Sequence, residues 1–235
     1  MKKNTIKLRL IVLVLFSFSA AGIAAESKST IEIREGMVGL IGYGTLMSLP
    51  TLEQALGHAY AGQACQVHVR DYTRGWAYRR PMNDPEAKPA AAGRINTWFL
   101  LNNERIPFDG MVSLNIYPEK NSRMNCILYL LSQEDLLKVD QWEKGYRRVD
   151  VTDKIEEYDF SGGRVYIYEG LPEHADTVAA DPKKYILIKE YVDQVTMACD
   201  GIGKDFRAEF DRSTRASAYP IVSFTTVIWE KSDKQ

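Results

Sequence analysis

Asn125-Cys-Ile-Leu-Tyr-Leu-Leu131 leads without a break into Ser132-Gln-Glu-Asp-Leu-Leu-Lys-Val-Asp-Gln-Trp-Glu-Lys-Gly145, and then into Tyr146-Arg-Arg148. The first part is a short apolar run of strand length. Ser132 with Asp135 three residues on is an N-terminal capping pattern, and Gly145 is suited to close the helix. Within that helix Leu136, Val139 and Glu143 fall on one face, with Asp140 at its edge. Glu143 therefore shares a face with the two residues most suited to the core. Burial disfavours a charged carboxylate, which gives Glu143 the character of a general base. A second reading makes it a structural ion pair with Arg147 or Arg148.

Upstream, Met37 to Ile41 reads as a buried strand that runs into the glycine-punctuated turn Gly42-Tyr43-Gly44-Thr45. A dinucleotide fingerprint would need glycine where Met47 stands, and no GxxxxGK[ST] is present. The turn is no nucleotide motif; it either presents backbone N–H groups to a ligand or is a tight turn alone. Thr51 and Gln54 have capping-box spacing for a short helix, Thr51 to Leu56, ended by Gly57. Gln63 to Arg70, Gly75 to Tyr78, Arg94 to Leu101 and Met111 to Ile116 read as strands, with Asn83 to Pro89 a loop and Tyr117-Pro118 a break. Tyr146 to Thr152 and Arg164 to Tyr168 return to strand. Asp181-Pro182 opens a helical stretch to about Ala198, Gly201 and Gly203 interrupt it, and Lys204 to Arg215 resumes it. Ile221 to Trp229 is a final β-branched run. Arg70-Asp71 followed by Arg74-Gly75-Trp76 reads as a strand-edge ion pair before a turn, or as a substrate clamp. Strands crowd the middle and helices punctuate it, so the fold class is α+β with a mixed or closed sheet rather than a regular βαβ array.

The 235 residues carry 30 Lys+Arg and 31 Asp+Glu, with 45% hydrophobic residues. That composition excludes disordered tails and polytopic membrane proteins. Lys2, Lys3, Lys7 and Arg9 precede the apolar run Leu10 to Phe18, and small residues from Ala20 to Ala25 follow. This is the pattern of a cleavable signal peptide over residues 1–25, cut after Ala24 or Ala25. The expectation is an exported, periplasmic protein. Residues 26–36 read as a loose leader and 37–230 as one domain. Removing the signal takes the formal net charge from −1 to −5, because it carries four basic residues and no acidic one. A mildly acidic chain has no footprint for nucleic acid, and no other segment is long enough to span a membrane. Cys65, Cys126 and Cys199 have no metal-type spacing and read as buried small hydrophobes. His58, His68 and His174 form no HxxxH or HExxH set, so no metal site is expected of them.

Taken together, the two motifs resemble the gamma-glutamylcyclotransferase-like superfamily. Tyr43-Gly44-Thr45 stands at its Tyr-Gly-Ser/Thr motif. Val139-Asp140-Gln141-Trp142-Glu143, followed by Gly145-Tyr146-Arg147-Arg148, stands at its Leu-Asp-x-x-Glu motif. Asn125 to Leu131 is similar to the strand before that helix, Pro182-Lys-Lys-Tyr185 to its Pro-x-x-Tyr, and Met197-Ala-Cys-Asp-Gly201 to a later small-residue segment. Lys144 intrudes where the family often has glycine directly after the Glu. The resemblance implies a mixed, partly closed β-barrel flanked by helices. It implies release of 5-oxoproline from a small gamma-glutamyl compound, without cofactor or metal. Glu143 would be the general acid/base, and Tyr43, Gly44, Thr45, Leu46 and Tyr185 the substrate-binding residues. The protein would act as a monomer or homodimer. The alternative is a non-catalytic periplasmic binding or interaction protein of the same fold.

Overall fold

The computed structural model describes residues 28–81, 94–101, 104–106, 108–175, 184–223 and 226–231. The signal segment 1–25, the loop Asn83 to Pro89 and Pro182 lie outside these residues.

The spine is one long strand, Gly110–Ser132 (β6). Along one edge it pairs antiparallel with Ala64–Pro81 (β3). Its other edge is shared by two shorter strands. Met37–Gly42 (β2) pairs antiparallel with Ile127 to Ser132, and Tyr185–Ile188 (β10) pairs parallel with Gly110 to Val112. Beyond β2 the sheet continues through Val165–Gly170 (β9), parallel, and Tyr146–Asp150 (β7), antiparallel. Thr214–Arg215 (β11) ends the sheet beyond β3, and Ile221–Val222 (β12) pairs with β10. The result is a mixed eight-stranded sheet whose hydrogen-bonded path stays open, from β11 to β7. This is the partly closed mixed sheet expected. Arg94–Leu101 (β4), Glu104–Ile106 (β5) and Thr226–Lys231 (β13) form a separate three-stranded sheet.

β2 lies between β6 and β9 in the sheet, and both of its faces are covered as well: Leu40 and Ile41, on opposite faces, are each buried. Helix Leu49–Leu56 (α1) and helix Gln133–Trp142 (α2) follow β2 and β6. Helices Lys189–Ile202 (α3) and Lys204–Ser213 (α4) follow β10, with Gly203 as both the stop of one and the start of the other. The main core joins β2, β6 and β9 to Leu136 and Val139 of α2, Val195 and Cys199 of α3, and Phe206 and Phe210 of α4. A small second core holds Val112, Leu187 and Tyr219.

Several expectations change. Residues 29–33 are no loose leader: Ser29–Ile33 (β1) pairs parallel with Tyr158–Gly162 (β8), and Ile33 is buried in the main core. α1 begins at Leu49, with Ser48 at the N-cap position making no side-chain cap bond and Pro50 in the first turn; Thr51 is buried inside it. Residues 185–188 are strand rather than helix, because Ile186 and Leu187 complete the edge of β6. The two strands expected between Gln63 and Tyr78 are one, bulged where the register shifts between Arg70 and Tyr72. Asp71 takes φ +61 there and Asn121 φ +66 on β6 opposite, with the Asn121 N–H donating to Asp71 Oδ1 at 3.1 Å. The cysteines are free, with Cys126 and Cys199 buried.

Candidate functional site

Among the described residues, the edge of β6 between β10 and β2 pairs with no strand. Leu114 lies in that gap, and side chains take the place of a neighbouring strand. Its carbonyl accepts the Tyr146 hydroxyl at 3.0 Å, and its N–H donates to the Tyr191 hydroxyl at 3.3 Å. A small cavity of about 40 Å³, open to solvent, occupies the gap. Ile41, Leu46 and Leu114 form its apolar wall, four tyrosines (Tyr43, Tyr146, Tyr168, Tyr191) its aromatic wall, and Glu143 its carboxylate; Gly44 and Thr45 complete it.

The chain reaches this cavity from β2 by a sharp reversal. A Cβ on Gly42 would stand 2.5 Å from the Leu46 carbonyl oxygen, so only glycine permits the turn. Thr45–Met47 forms one 3₁₀ turn. The first N–H it consumes is that of Met47, donated to the Gly44 carbonyl at 3.0 Å. The N–H groups of Gly44, Thr45 and Leu46 precede that bond at the start of the turn. A Cβ on Gly44 would face Leu114 Cδ1 at 3.7 Å and the Tyr191 hydroxyl at 3.9 Å. The absence of a side chain there keeps backbone exposed to the cavity.

Glu143 arrives from the end of α2. Ser132 caps that helix, its hydroxyl accepting the Asp135 N–H at 3.0 Å as its spacing predicts. The last helical hydrogen bond runs from the Glu143 N–H to the Val139 carbonyl at 2.8 Å, and the Glu143 carbonyl accepts the Tyr146 N–H at 3.0 Å. Leu136 and Val139 are buried on the core face, and Glu143, one turn beyond Val139, lines the cavity. Lys144 does not disturb this geometry: Gly145 takes φ +89 and turns the chain into β7.

The arginines that competed for Glu143 are committed elsewhere. Arg147 donates twice to Glu169 (3.0 and 2.7 Å), and Arg148 Nε lies 3.2 Å from Asp140. Asp140 also accepts the Tyr168 hydroxyl at 2.7 Å. Burial first, and then the Glu143 charge, hold the Tyr43 phenol well above its ordinary value. Tyr191 is pushed up to about 12, chiefly by burial. The tyrosines are therefore neutral hydrogen-bonding groups across the ordinary pH range.

The structure thus brings together five of the six expected site residues: Tyr43, Gly44, Thr45, Leu46 and Glu143. Tyr185 is not among them. It packs on the second core, edge-on to Tyr219 at 6.4 Å between ring centroids, with the Arg79 guanidinium 5.7 Å from its own. Tyr191 supplies the cavity phenol instead. Its signal was the stripe Tyr191, Val195, Cys199, spaced four apart, which turns one face of α3 inward.

Arg74 does not lie at a turn. It is 0% exposed and sits behind the Tyr43 turn. It donates to the Asn125 carbonyl at 2.7 Å, the Asn125 side-chain oxygen, Ser213 Oγ and Thr214 Oγ1 (each 2.9 Å), and the Tyr43 carbonyl at 3.4 Å. Its guanidinium lies 4.1 Å from the Phe210 ring centroid. It is an internal strut within β3, part of neither a clamp nor a turn.

His68 is the histidine with the most carboxylates around it. Ligand atoms of His68, Glu156 and Glu157 lie within 4.8 Å of one another. Both ring nitrogens already meet carboxylates, Nδ1 with Glu157 at 2.5 Å and Nε2 with Glu209 at 3.0 Å. The bond to Glu157 leads in raising its pKa to about 9. A doubly protonated ring has no lone pair for a metal, so the cluster is read as an ionic staple. Among the described residues no helix is long and apolar enough to cross a membrane.

No family model and no curated protein matches the chain. Solved structures give similar folds at low identity. A gamma-glutamyl cyclotransferase matches over 78% of this chain and 90% of its own, at 9% identity and a TM-score of 0.47. YkqA from Bacillus subtilis matches over 76% of this chain and 54% of its own, at 12% identity and a TM-score of 0.49. An uncharacterized protein from Homo sapiens matches over 79% and 92%, at 13% identity and a TM-score of 0.43.

Proposed function

We propose that the protein is an exported enzyme of the cyclotransferase type, releasing 5-oxoproline from a small gamma-glutamyl compound. The observation that carries the reading is convergence. The Tyr43–Leu46 turn and Glu143, far apart in sequence, face one cavity, while the arginines beside Glu143 are bonded to other carboxylates.

The Glu143 carboxylate takes a proton from the substrate's α-ammonium group. The freed nitrogen attacks the γ-carbonyl carbon, a C–N bond closes the five-membered ring, and the carbonyl π pair moves onto oxygen. Backbone N–H groups of the Tyr43–Thr45 turn receive that charge, a contribution of about 3–4 kcal/mol when such donors are well aimed. The electron pair then returns, the bond to the leaving nitrogen breaks as that nitrogen takes the proton from Glu143, and Glu143, again a carboxylate, passes the second proton of the ring nitrogen to the departing amine, which leaves as an ammonium. The nucleophile is tethered to its target, so much of the entropic cost is met in advance. No separate nucleophile, metal or cofactor is required by this route.

The test uses the mature chain recovered from the periplasmic fraction, its first residue (Ala25 or Glu26) read by mass spectrometry. It is incubated with a panel of gamma-glutamyl compounds and 5-oxoproline is measured. Glu143→Gln should lower release by roughly 10²–10⁴-fold at unchanged fold, the range lost with a general acid/base. Equal release from both proteins would remove Glu143 as the base. Binding of panel members by the folded wild type with no release would assign the chain to the non-catalytic reading.

A further inference from the structure

Among the described residues that line the cavity, Glu143 alone carries a charge, and none is a cation. The space suits one small polar group of a ligand. Two of its phenols have already spent their single proton. Tyr168 donates to Asp140 Oδ1 at 2.7 Å, and Tyr146 donates to the Leu114 carbonyl at 3.0 Å. A phenol has one O–H and two acceptor lone pairs, so both oxygens are left as acceptors only. Their partners hold these directions. The Leu114 carbonyl lies on the β6 edge that no described strand covers, and Asp140, three residues before Glu143, is held by Arg148 Nε at 3.2 Å. Burial leads in holding both phenols well above their ordinary value, and the Glu143 charge contributes to each, so both keep their protons and feel that carboxylate. Tyr191 is outside this set, because its oxygen accepts the Leu114 N–H. Two oxygens that can only accept, beside a carboxylate and with no cation, match a group that can only donate. A primary ammonium is that group, with three N–H bonds and one positive charge.

We infer that Tyr168 and Tyr146 seat the ligand's primary ammonium beside Glu143, and that Asp140 is a positioning residue which fixes the Tyr168 oxygen as an acceptor. This rests on the cyclotransferase reading and deepens it: the site selects its substrate by the protonated α-nitrogen. One N–H of the ammonium is donated to each phenol oxygen, and the third is directed at Glu143, the base that removes it. Without Asp140, Tyr168 is free to turn its own O–H into the cavity, where it opposes an ammonium N–H. An α-hydroxyl in place of the ammonium has one donor for three acceptors and no charge, so the seat discriminates against it.

Tyr168→Phe keeps the ring and removes the acceptor. Asp140→Leu keeps the phenol and frees its proton, whereas Asp140→Asn still offers a carbonyl to take it. The probes are L-glutamate and its isostere 2-hydroxyglutarate, in which a hydroxyl replaces the ammonium, titrated by NMR. The wild type should bind L-glutamate more tightly. Tyr168→Phe and Asp140→Leu should each lower the ratio of the two affinities about 10-fold, and Asp140→Asn should lower it less. In turnover, Tyr168→Phe should raise KM more than it lowers kcat, because the ammonium is held before it gives up its proton. In wild-type protein carrying ¹³Cζ-tyrosine, the Tyr168 resonance should move further with L-glutamate than with 2-hydroxyglutarate, a readout that does not depend on a variant's stability. A wild-type ratio in both Tyr168→Phe and Asp140→Leu would overturn the inference. So would an equal loss of both probes, which would make the pair a packing contact. Either result with 5-oxoproline still released by the wild type would leave the cyclotransferase reading standing. A preference for L-glutamate that the variants lose, with no release from any gamma-glutamyl compound, would support the seat and overturn the reaction. A folded wild type that shows neither preference nor release would overturn both.

Discussion

Arg74 shows how one residue's role turns on the phase of a strand. Simple alternation from Val67 and Val69, both buried, would carry positions 71 and 73 inward and leave 74 facing out. The bulge at Asp71 adds a residue and reverses the phase. Tyr72, Arg74 and Trp76 then face the interior, Arg74 completely. Arg70 and Asp71 stay at the surface, with Asp71 paired to Lys154 at 3.0 Å and Arg70 donating to the Asp153 carbonyl at 2.6 Å. Arg74 meets only neutral acceptors among the described residues, and removing it strands several of them in the core. Arg74→Ala should destabilise the fold by about 3 kcal/mol or more, summing buried acceptors left unpaired at ~1–3 kcal/mol each. Urea unfolding measures this. A change under about 1 kcal/mol would mean that the guanidinium contributes little to stability.

At the scale of elements, local signals located turns and caps well and strand ends poorly. Ser132 and Gly145 delimit α2 and its exit because they act through bonds made within a few residues. Gly145 has a second duty that was invisible locally. A Cβ there would lie 2.0 Å from the Tyr78 hydroxyl, in addition to the strain of φ +89. Gly145→Ala should therefore cost about 2 kcal/mol or more, beyond the ~1 kcal/mol of a positive-φ position alone. It should also lower 5-oxoproline release, because the same turn sets Glu143. Thermal melting and the release assay read the two effects. A variant that melts like the wild type would show that the Tyr78 side chain yields freely. β10 failed as a local reading for the opposite reason. Ile186 and Leu187 satisfy either a helical or a strand pattern, and the open edge of β6 decides between them.

Across the whole molecule, His68 joins three elements. It stands on β3, bonds Glu157 in the segment before β8, and reaches Glu209 on α4. Its folded pKa of about 9 lies above the ordinary 6.5. The stability it contributes is therefore fully present below pH 6.5 and is lost as pH rises through 9. His68→Gln should melt below the wild type at pH 6, and the difference should shrink by pH 10. A difference that stays constant over that interval would assign the effect to packing rather than charge. The same three-part joint lies apart from the Glu143 cavity, so at pH 6 the variant should differ in melting more than in product release.

By itself the sequence determined the α+β class, the buried β2 strand, the helix that carries Glu143 and the turn that carries Tyr43. Hydrophobic period, caps and glycines act over a few residues and can be read there. Only the tertiary structure decided that the two motifs share a cavity, that Tyr191 rather than Tyr185 lines it, and that Arg74 is an internal strut. Those outcomes depend on which edge of β6 is left open, on a bulge that reverses a strand's facing, and on charges brought together from distant segments. Each is a long-range consequence of packing, and no local pattern encodes it.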